Sequence, residues 1–148
     1  LMECVGIIKK TILAYQNKVN TPITKWGIFL VLLSIIMGAF GAHYFSSILS
    51  PERMNSLQSG INYQMYMGLG LLVLGSLESN FSSKSYRTGF LLILIGCLFF
   101  SLSIYGLVYL GHHEISTGKS LLGPITPIGG LLMILGWFWL LIDLIKKK

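Results

Sequence analysis

The stretch GFLLILIGCLFFSLSIYGLVYL, residues 89–110, runs for 22 residues without a charged side chain. About 20 helical residues span about 30 Å, the thickness of a bilayer's hydrocarbon core. Lipid offers no partner for backbone N–H and C=O groups, so a continuous run of this kind crosses a membrane as an α-helix. A soluble helix would show a polar stripe, and almost none interrupts this run. Three further stretches, 26–44, 59–77 and 125–142, also lack formal charge. Composition agrees: 53% of the 148 residues are hydrophobic and 11% charged, whereas a soluble domain carries about 25% charged residues. The sequence therefore predicts an all-α integral membrane protein. Its four-helix bundle occupies 21–148, with spans at about 26–44, 59–77, 89–110 and 125–145.

The basic residues sort by side. Lys9, Lys10, Lys18 and Lys25 precede the first span, Lys84 and Arg87 lie between the second and third, and Lys146, Lys147 and Lys148 end the sequence. In a four-span arrangement these nine share one side, leaving Arg53 and Lys119 on the other. That bias predicts N- and C-termini inside, in the cytoplasm of a bacterium or the matrix of a mitochondrion. It also explains the net charge of +6 without a nucleic-acid partner. Trp26, Trp137 and Trp139 fall where interfacial indoles belong at the inner face, and Tyr44 and Tyr109 mark outer ends.

Residues 1–20 form an extension. Leu1, Val5, Ile8, Ile12, Tyr15 and Val19 share one helical face opposite Lys10 and Asn17, predicting an amphipathic helix on the inner membrane surface or one docked on a partner subunit. No small-residue cleavage site follows it, which argues against a signal peptide. Thr21-Pro22 is expected to break this element before Trp26. Cys4 and Cys97 belong on different levels, so no disulfide is expected. Ser50-Pro51 reads as cap and first residue of a helix in the outer loop. Gly123-Pro124 punctuates the second outer loop, and Thr126-Pro127 reads as the cap and first turn of the last helix.

Small residues recur every seven positions: Gly27, Ser34 and Gly41, with Gly38 on the same face; Gly68 and Gly75; Gly89, Gly96 and Ser103; Gly129 and Gly136. This period keeps a stripe facing its neighbour in a left-handed bundle, and small residues let helix backbones approach closely in lipid. A compact bundle without a wide channel is expected.

Four motifs stand out: Gly38-Ala39-Phe40-Gly41-Ala42-His43; Tyr63-Gln64-Met65-Tyr66; Phe100-Ser101-Leu102-Ser103-Ile104-Tyr105; and Gly123 to Gly130 followed by Gly136-Trp137. In this order, over about residues 25–145, they resemble the uncharacterised family of small inner-membrane proteins typified by bacterial YgdD and YwdK. The resemblance implies mitochondrial relatives and no established activity. Two positions depart from the family pattern: Met67 stands where histidine is usual, and Leu102 where glycine is usual. Any family site built on that histidine lacks it here.

The topology brings all four motifs to one depth, in the outer half of the bundle, and leaves the inner half almost purely apolar. Intramembrane polar side chains are costly unless paired and are often functional. His43, Asn62, Tyr63, Gln64, Tyr66, Ser101, Ser103, Tyr105 and Thr126 are therefore the candidate binding residues. The competing reading makes Gln64, Ser101, Ser103 and Thr126 hydrogen-bonded glue between helices, and the tyrosines interfacial aromatics. A regular helix points His43 away from the small-residue stripe, which favours glue. His112 and His113 are adjacent and cannot both face one site from a regular helix, and no zinc spacing exists, so no metal is expected. No nucleophile elbow, phosphate loop or paired intramembrane carboxylates occur, so neither catalysis nor a cofactor is expected. The expected role is a structural, assembly or accessory subunit, in contact with lipid and in a homo-oligomer or larger complex. The alternatives are a small carrier or channel, or a lipid or quinone site ringed by Tyr63, Tyr105 and Ser103.

Overall fold

A computed structural model of the chain describes residues 5–8, 21–115 and 118–146. No strand occurs among the described residues. Four long helices follow one another. Helix α1, Thr21–Phe40, is prolonged by a π-helical turn, Gly41–Phe45, and a last α-turn, Ser46–Ile48. Helix α2 spans Pro51–Ser76, α3 Ser83–His112 and α4 Lys119–Lys146. Helices α1, α3 and α4 are long and apolar enough to cross a membrane. Helix α2, at 26 residues, is long enough but less apolar.

Successive helices pack side by side and antiparallel: Gly27 of α1 lies against Gly68 of α2, and Gly41 against Met54. One end of the bundle gathers Lys25, Lys84, Arg87 and Lys146, and the other gathers His43, His112 and His113. These are called the lysine end and the histidine end below.

The helices begin earlier than the apolar runs suggested, and local chemistry explains why. Thr21-Pro22 lies in the first described turn of α1, and the residues before it, on which the expected break depends, lie outside the described residues. A proline in the first turn omits an N–H that has no intrahelical acceptor anyway. Pro51 opens α2 as expected, with Ser50 as cap, its hydroxyl accepting from the Arg53 N–H at 3.5 Å. Ser82 caps α3, its hydroxyl accepting from the Ser85 N–H at 3.4 Å. The expected start of the last helix at Thr126-Pro127 is not found: α4 begins at Lys119 and carries Pro124 and Pro127 inside it. Each proline removes one hydrogen bond to a carbonyl four residues back, a local loss that the close packing of the following turns against α3 offsets. The surface helix expected over residues 1–20 falls mostly outside the described residues, of which Val5–Ile8 are helical. Cys4 lies outside them too, and Cys97 is buried.

The core has three layers. Toward the lysine end an apolar cluster holds Leu30, Leu71, Leu74, Ile93, Cys97, Met133 and Leu140. Toward the histidine end a smaller one holds Leu57, Ile61, Ile104 and Val108. Between them sit Ser34, Gln64, Ser101 and Ser103, none more than 2% exposed. Outward faces are apolar, with Ile28, Leu32 and Ile35 of α1, Val73 of α2 and Ile134, Phe138 and Leu141 of α4 all exposed.

Much of the small-residue stripe lies in two tight pairs. A Cβ on Gly27 would stand 2.9 Å from the Gly68 carbonyl oxygen, and one on Gly68 3.0 Å from the Val31 nitrogen. Between α3 and α4 the approach is closer. A Cβ on Gly96 would meet the Gly129 oxygen at 2.7 Å, one on Gly129 the Phe100 nitrogen at 2.5 Å, and one on Gly136 the Gly89 oxygen at 3.0 Å. Gly38 and Gly41 depart from the expectation. The nearest atoms to their added Cβ positions are side-chain carbons of Ile61 at 3.9 Å and Met54 at 3.4 Å, ordinary contact distances.

Candidate functional site

Gln64 is the centre of the middle layer. It projects from α2 between α1 and α3, and both ends of its amide are engaged. Its Nε2 donates to the Leu30 carbonyl of α1 at 3.2 Å, and its Oε1 accepts from the Tyr105 hydroxyl of α3 at 2.9 Å. The Leu30 carbonyl also accepts from Ser34 Oγ at 2.8 Å. One turn from Gln64, Ser101 Oγ of α3 donates to the Gly60 carbonyl of α2 at 3.0 Å. The bare backbone of Gly60 makes room: a Cβ there would lie 3.0 Å from the Tyr105 ring. Ser103 and Thr126 share a hydrogen bond of 2.7 Å between α3 and α4. The layer thus ties all four helices together.

The other candidate residues lie elsewhere. His43 is exposed on the π-helical turn, so the angular argument made for a regular helix does not apply to it. Asn62 accepts from Gln58 Nε2 at 2.8 Å along its own helix. Tyr63 and Tyr66 face outward, Tyr63 packing on Phe100 with ring centroids 4.9 Å apart. Tyr63, Tyr105 and Ser103 do not ring one space. Tyr63 borders a groove of about 400 Å³ with Met67, Phe100 and Trp137, Tyr105 borders a different cleft, and Ser103 is closed against Thr126.

That second cleft, of about 300 Å³, opens at the histidine end between α1 and α3. Met37, Phe45 and Leu49 face Val108 and Tyr109 across it, with Leu57 of α2 also lining it and Tyr44, His112 and His113 supplying polar groups. The π-helical turn shapes its α1 wall, since Tyr44 and Phe45 both belong to it. Among the described residues, no three His, Cys, Asp or Glu side chains converge closely enough to hold a metal ion.

Polar contacts that the sequence reading missed gather toward the lysine end, which is not purely apolar. Asp143 of α4 accepts from the backbone N–H of Ser82 at 2.7 Å and from its hydroxyl at 2.8 Å, clamping α4 onto the start of α3. Tyr86 of α3 donates to the Leu74 carbonyl of α2 at 2.8 Å. The signals were present: Asp143 is the acidic residue that ends an apolar run, and Ser82-Ser83-Lys84-Ser85 has the look of a helix cap. Met67, at the position where the resemblance expects histidine, accepts from Trp137 Nε1 at 3.4 Å. Leu102, the other departure, is 53% exposed, so the larger residue points away from the packed interfaces.

Comparison with known proteins agrees with the motifs. Residues 37–130 match the family described as "Protein of unknown function (DUF423)". A UPF0382 membrane protein of Staphylococcus haemolyticus is 42% identical over 120 residues, covering 81% of this chain and 92% of the relative. The UPF0382 membrane protein YwdK of Bacillus subtilis is 34% identical over 116 residues, 78% of this chain and 89% of its own length. A UPF0382 membrane protein of Schizosaccharomyces pombe is 40% identical over 114 residues, 75% and 91%. No solved structure matches the chain. Similarity of this extent over most of the chain shows that it belongs to the UPF0382 (DUF423) family of membrane proteins of unknown function.

Proposed function

We propose that the chain is a non-enzymatic, four-span membrane protein that serves as a structural, assembly or accessory subunit, within a homo-oligomer or a larger membrane complex. The observation that carries this reading is the internal satisfaction of its polar layer. Gln64, Tyr105, Ser101, Ser103 and Thr126 bind one another or neighbouring backbone. Among the described residues no buried side-chain nitrogen or oxygen lacks a partner. A catalytic or transport group needs an atom left over for its substrate, whereas interhelical glue does not.

Helix α2 is the fourth span in this reading. Its 26 residues exceed the roughly 20 needed, and Gln64, which lowers its apolarity, is hidden from lipid between α1 and α3. The lysine end faces the bacterial cytoplasm or the mitochondrial matrix, in line with the distribution of Lys and Arg. The test is purification of the tagged chain from native membranes in mild detergent, followed by native mass spectrometry. A homo-oligomer or a stoichiometric partner is expected, and a monomer with no partner overturns the subunit role.

The α1/α3 cleft favours a second reading, a lipid or quinone site at the histidine end. Added quinone protecting Tyr109 from chemical modification supports it, and unchanged reactivity removes it. A carrier role requires solute flux across reconstituted vesicles that is lost in Gln64→Leu.

A further inference from the structure

Arg53 is a charged residue at the histidine end of the bundle. It lies in the first turn of α2, half-buried. Among the described residues its guanidinium has no hydrogen-bond or ion-pair partner. Its stem crosses to α3, where Nε lies 3.1 Å from the position a Cβ on Gly111 would take, so this buried glycine's missing side chain leaves the room the arginine occupies. An arginine near a helix end packs its stem on apolar surface and carries its charged head to the membrane interface, where phosphates lie.

Arg53 lines an open cavity of about 450 Å³ between α2, α3 and α4. This lies within the range of ligand pockets, about 300–1,000 Å³. The cavity is two-faced. Ile104, Leu107 and Val108 of α3 supply apolar lining. On the α2 side, Ser56 and Ser59 already donate to the Glu52 and Asn55 carbonyls of their own helix, and Thr126 is paired with Ser103. Arg53 is therefore the group in this lining with several donors and a charge to offer. A planar fork of N–H donors matches a phosphate, and the apolar lining beside it matches hydrocarbon. An amphiphile that is anionic at one end fits both.

We propose that this cavity seats an anionic phospholipid, with its phosphate on the Arg53 guanidinium and its glycerol and upper acyl carbons over Ile104, Leu107 and Val108. Phosphates line both faces of a bilayer, so the assignment does not depend on which face the histidine end occupies. It goes beyond the subunit role and stands or falls separately from it.

The test is native mass spectrometry of the whole protein in mild detergent, with phosphatidylglycerol, phosphatidylcholine or inorganic phosphate added in turn. Wild type is expected to retain one phosphatidylglycerol per chain, with about tenfold preference over phosphatidylcholine. Arg53→Gln is expected to lose about tenfold in retention, the scale of one charge-assisted hydrogen bond, while Arg53→Lys keeps most of it. Leu107→Trp, which fills the apolar side and leaves Arg53 in place, is expected to expel the lipid as well, and it serves should Arg53→Gln not fold. Equal retention by wild type and the folded variants overturns the proposal. So does equal binding of the two lipids, or binding of inorganic phosphate with no lipid retained.

Discussion

Gln64 shows what a single polar side chain does where water is absent. With α1 on one side and α3 on the other, its amide uses a donor and an acceptor at once, and leucine at the same position leaves the Tyr105 hydroxyl and one approach to the Leu30 carbonyl without a partner. Interhelical hydrogen bonds in membranes contribute about 0.6 kcal/mol on average and up to about 2 kcal/mol. Gln64→Leu is expected to destabilise the protein by about 1–2 kcal/mol in detergent unfolding followed by circular dichroism, and Tyr105→Phe by less, since it breaks one bond. The double variant should cost less than the sum of the singles, because both remove the same contact; strict additivity would mean the contact does not form. The sequence revealed that Gln64 stood in an apolar run and required partners. It could not name them, because Leu30 and Tyr105 are 34 and 41 residues away and meet Gln64 only once helix crossings are fixed. His43 shows the opposite case, a polar residue that looked like part of the same cluster and is exposed.

Among the helices, glycine sorts into positions that set the spacing and positions that do not. The seven-residue period picked out Gly27, Gly68, Gly96 and Gly129, whose added Cβ atoms would meet backbone at 2.5–3.0 Å. Backbone cannot rotate away as a side chain can, so Gly129→Ala must push α4 off α3, at a cost of about 1–3 kcal/mol. Gly38 was on the same stripe, yet an added Cβ there meets nothing closer than 3.9 Å. Gly38→Ala is expected to be neutral or stabilising by up to about 1 kcal/mol through helix propensity. Melting temperatures of the two variants in one detergent decide it: equal losses would show that the contact geometry does not govern the stripe. The period marks one face along a whole helix, but the close approach of α1 and α2 at Gly27 and Gly68 is not repeated at Gly38 and Gly41. Nothing in a repeat of small residues tells where two helices part. The π-helical turn after Phe40 was equally illegible, since it depends on backbone donors, that of Ser46 to Gly41 among them, reaching five residues back. Helix starts were partly legible: Ser50 and Pro51 read correctly, whereas Pro124 and Pro127 suggested a later start because tertiary packing carries α4 through both.

At the scale of the molecule, the number of crossings decides the rest of the topology. The three most apolar helices are evident from composition alone. Helix α2 is not, because its first turns carry the exposed polar residues Glu52, Asn55, Ser56, Gln58 and Ser59 in addition to the buried Gln64. Its packing against α1 and α3 argues that it shares their depth: Gly68 touches the first third of α1 near Gly27, and Leu74 receives the Tyr86 hydroxyl near the start of α3. A helix bonded near its end to the lysine-end turns of its neighbours, and starting at the histidine end, runs alongside them, which supports the proposed fourth crossing. The Asp143–Ser82 clamp adds to this by holding the last turns of α4 against the start of α3, and Asp143→Ala is expected to cost about 1–3 kcal/mol by the same unfolding measurement. Parity then gives the decisive prediction for the proposed topology. Four crossings return Lys146 to the side of Lys18 and leave Lys119 opposite, whereas three crossings, with α2 lying outside the bilayer, place Lys146 across the membrane from Lys18. In a Cys4→Ser background, a membrane-impermeant maleimide applied from one side should label Lys18→Cys and Lys146→Cys together and Lys119→Cys only from the other. Labelling that separates Lys18 from Lys146 means an odd number of crossings, and α2 is then not a span, however well it packs.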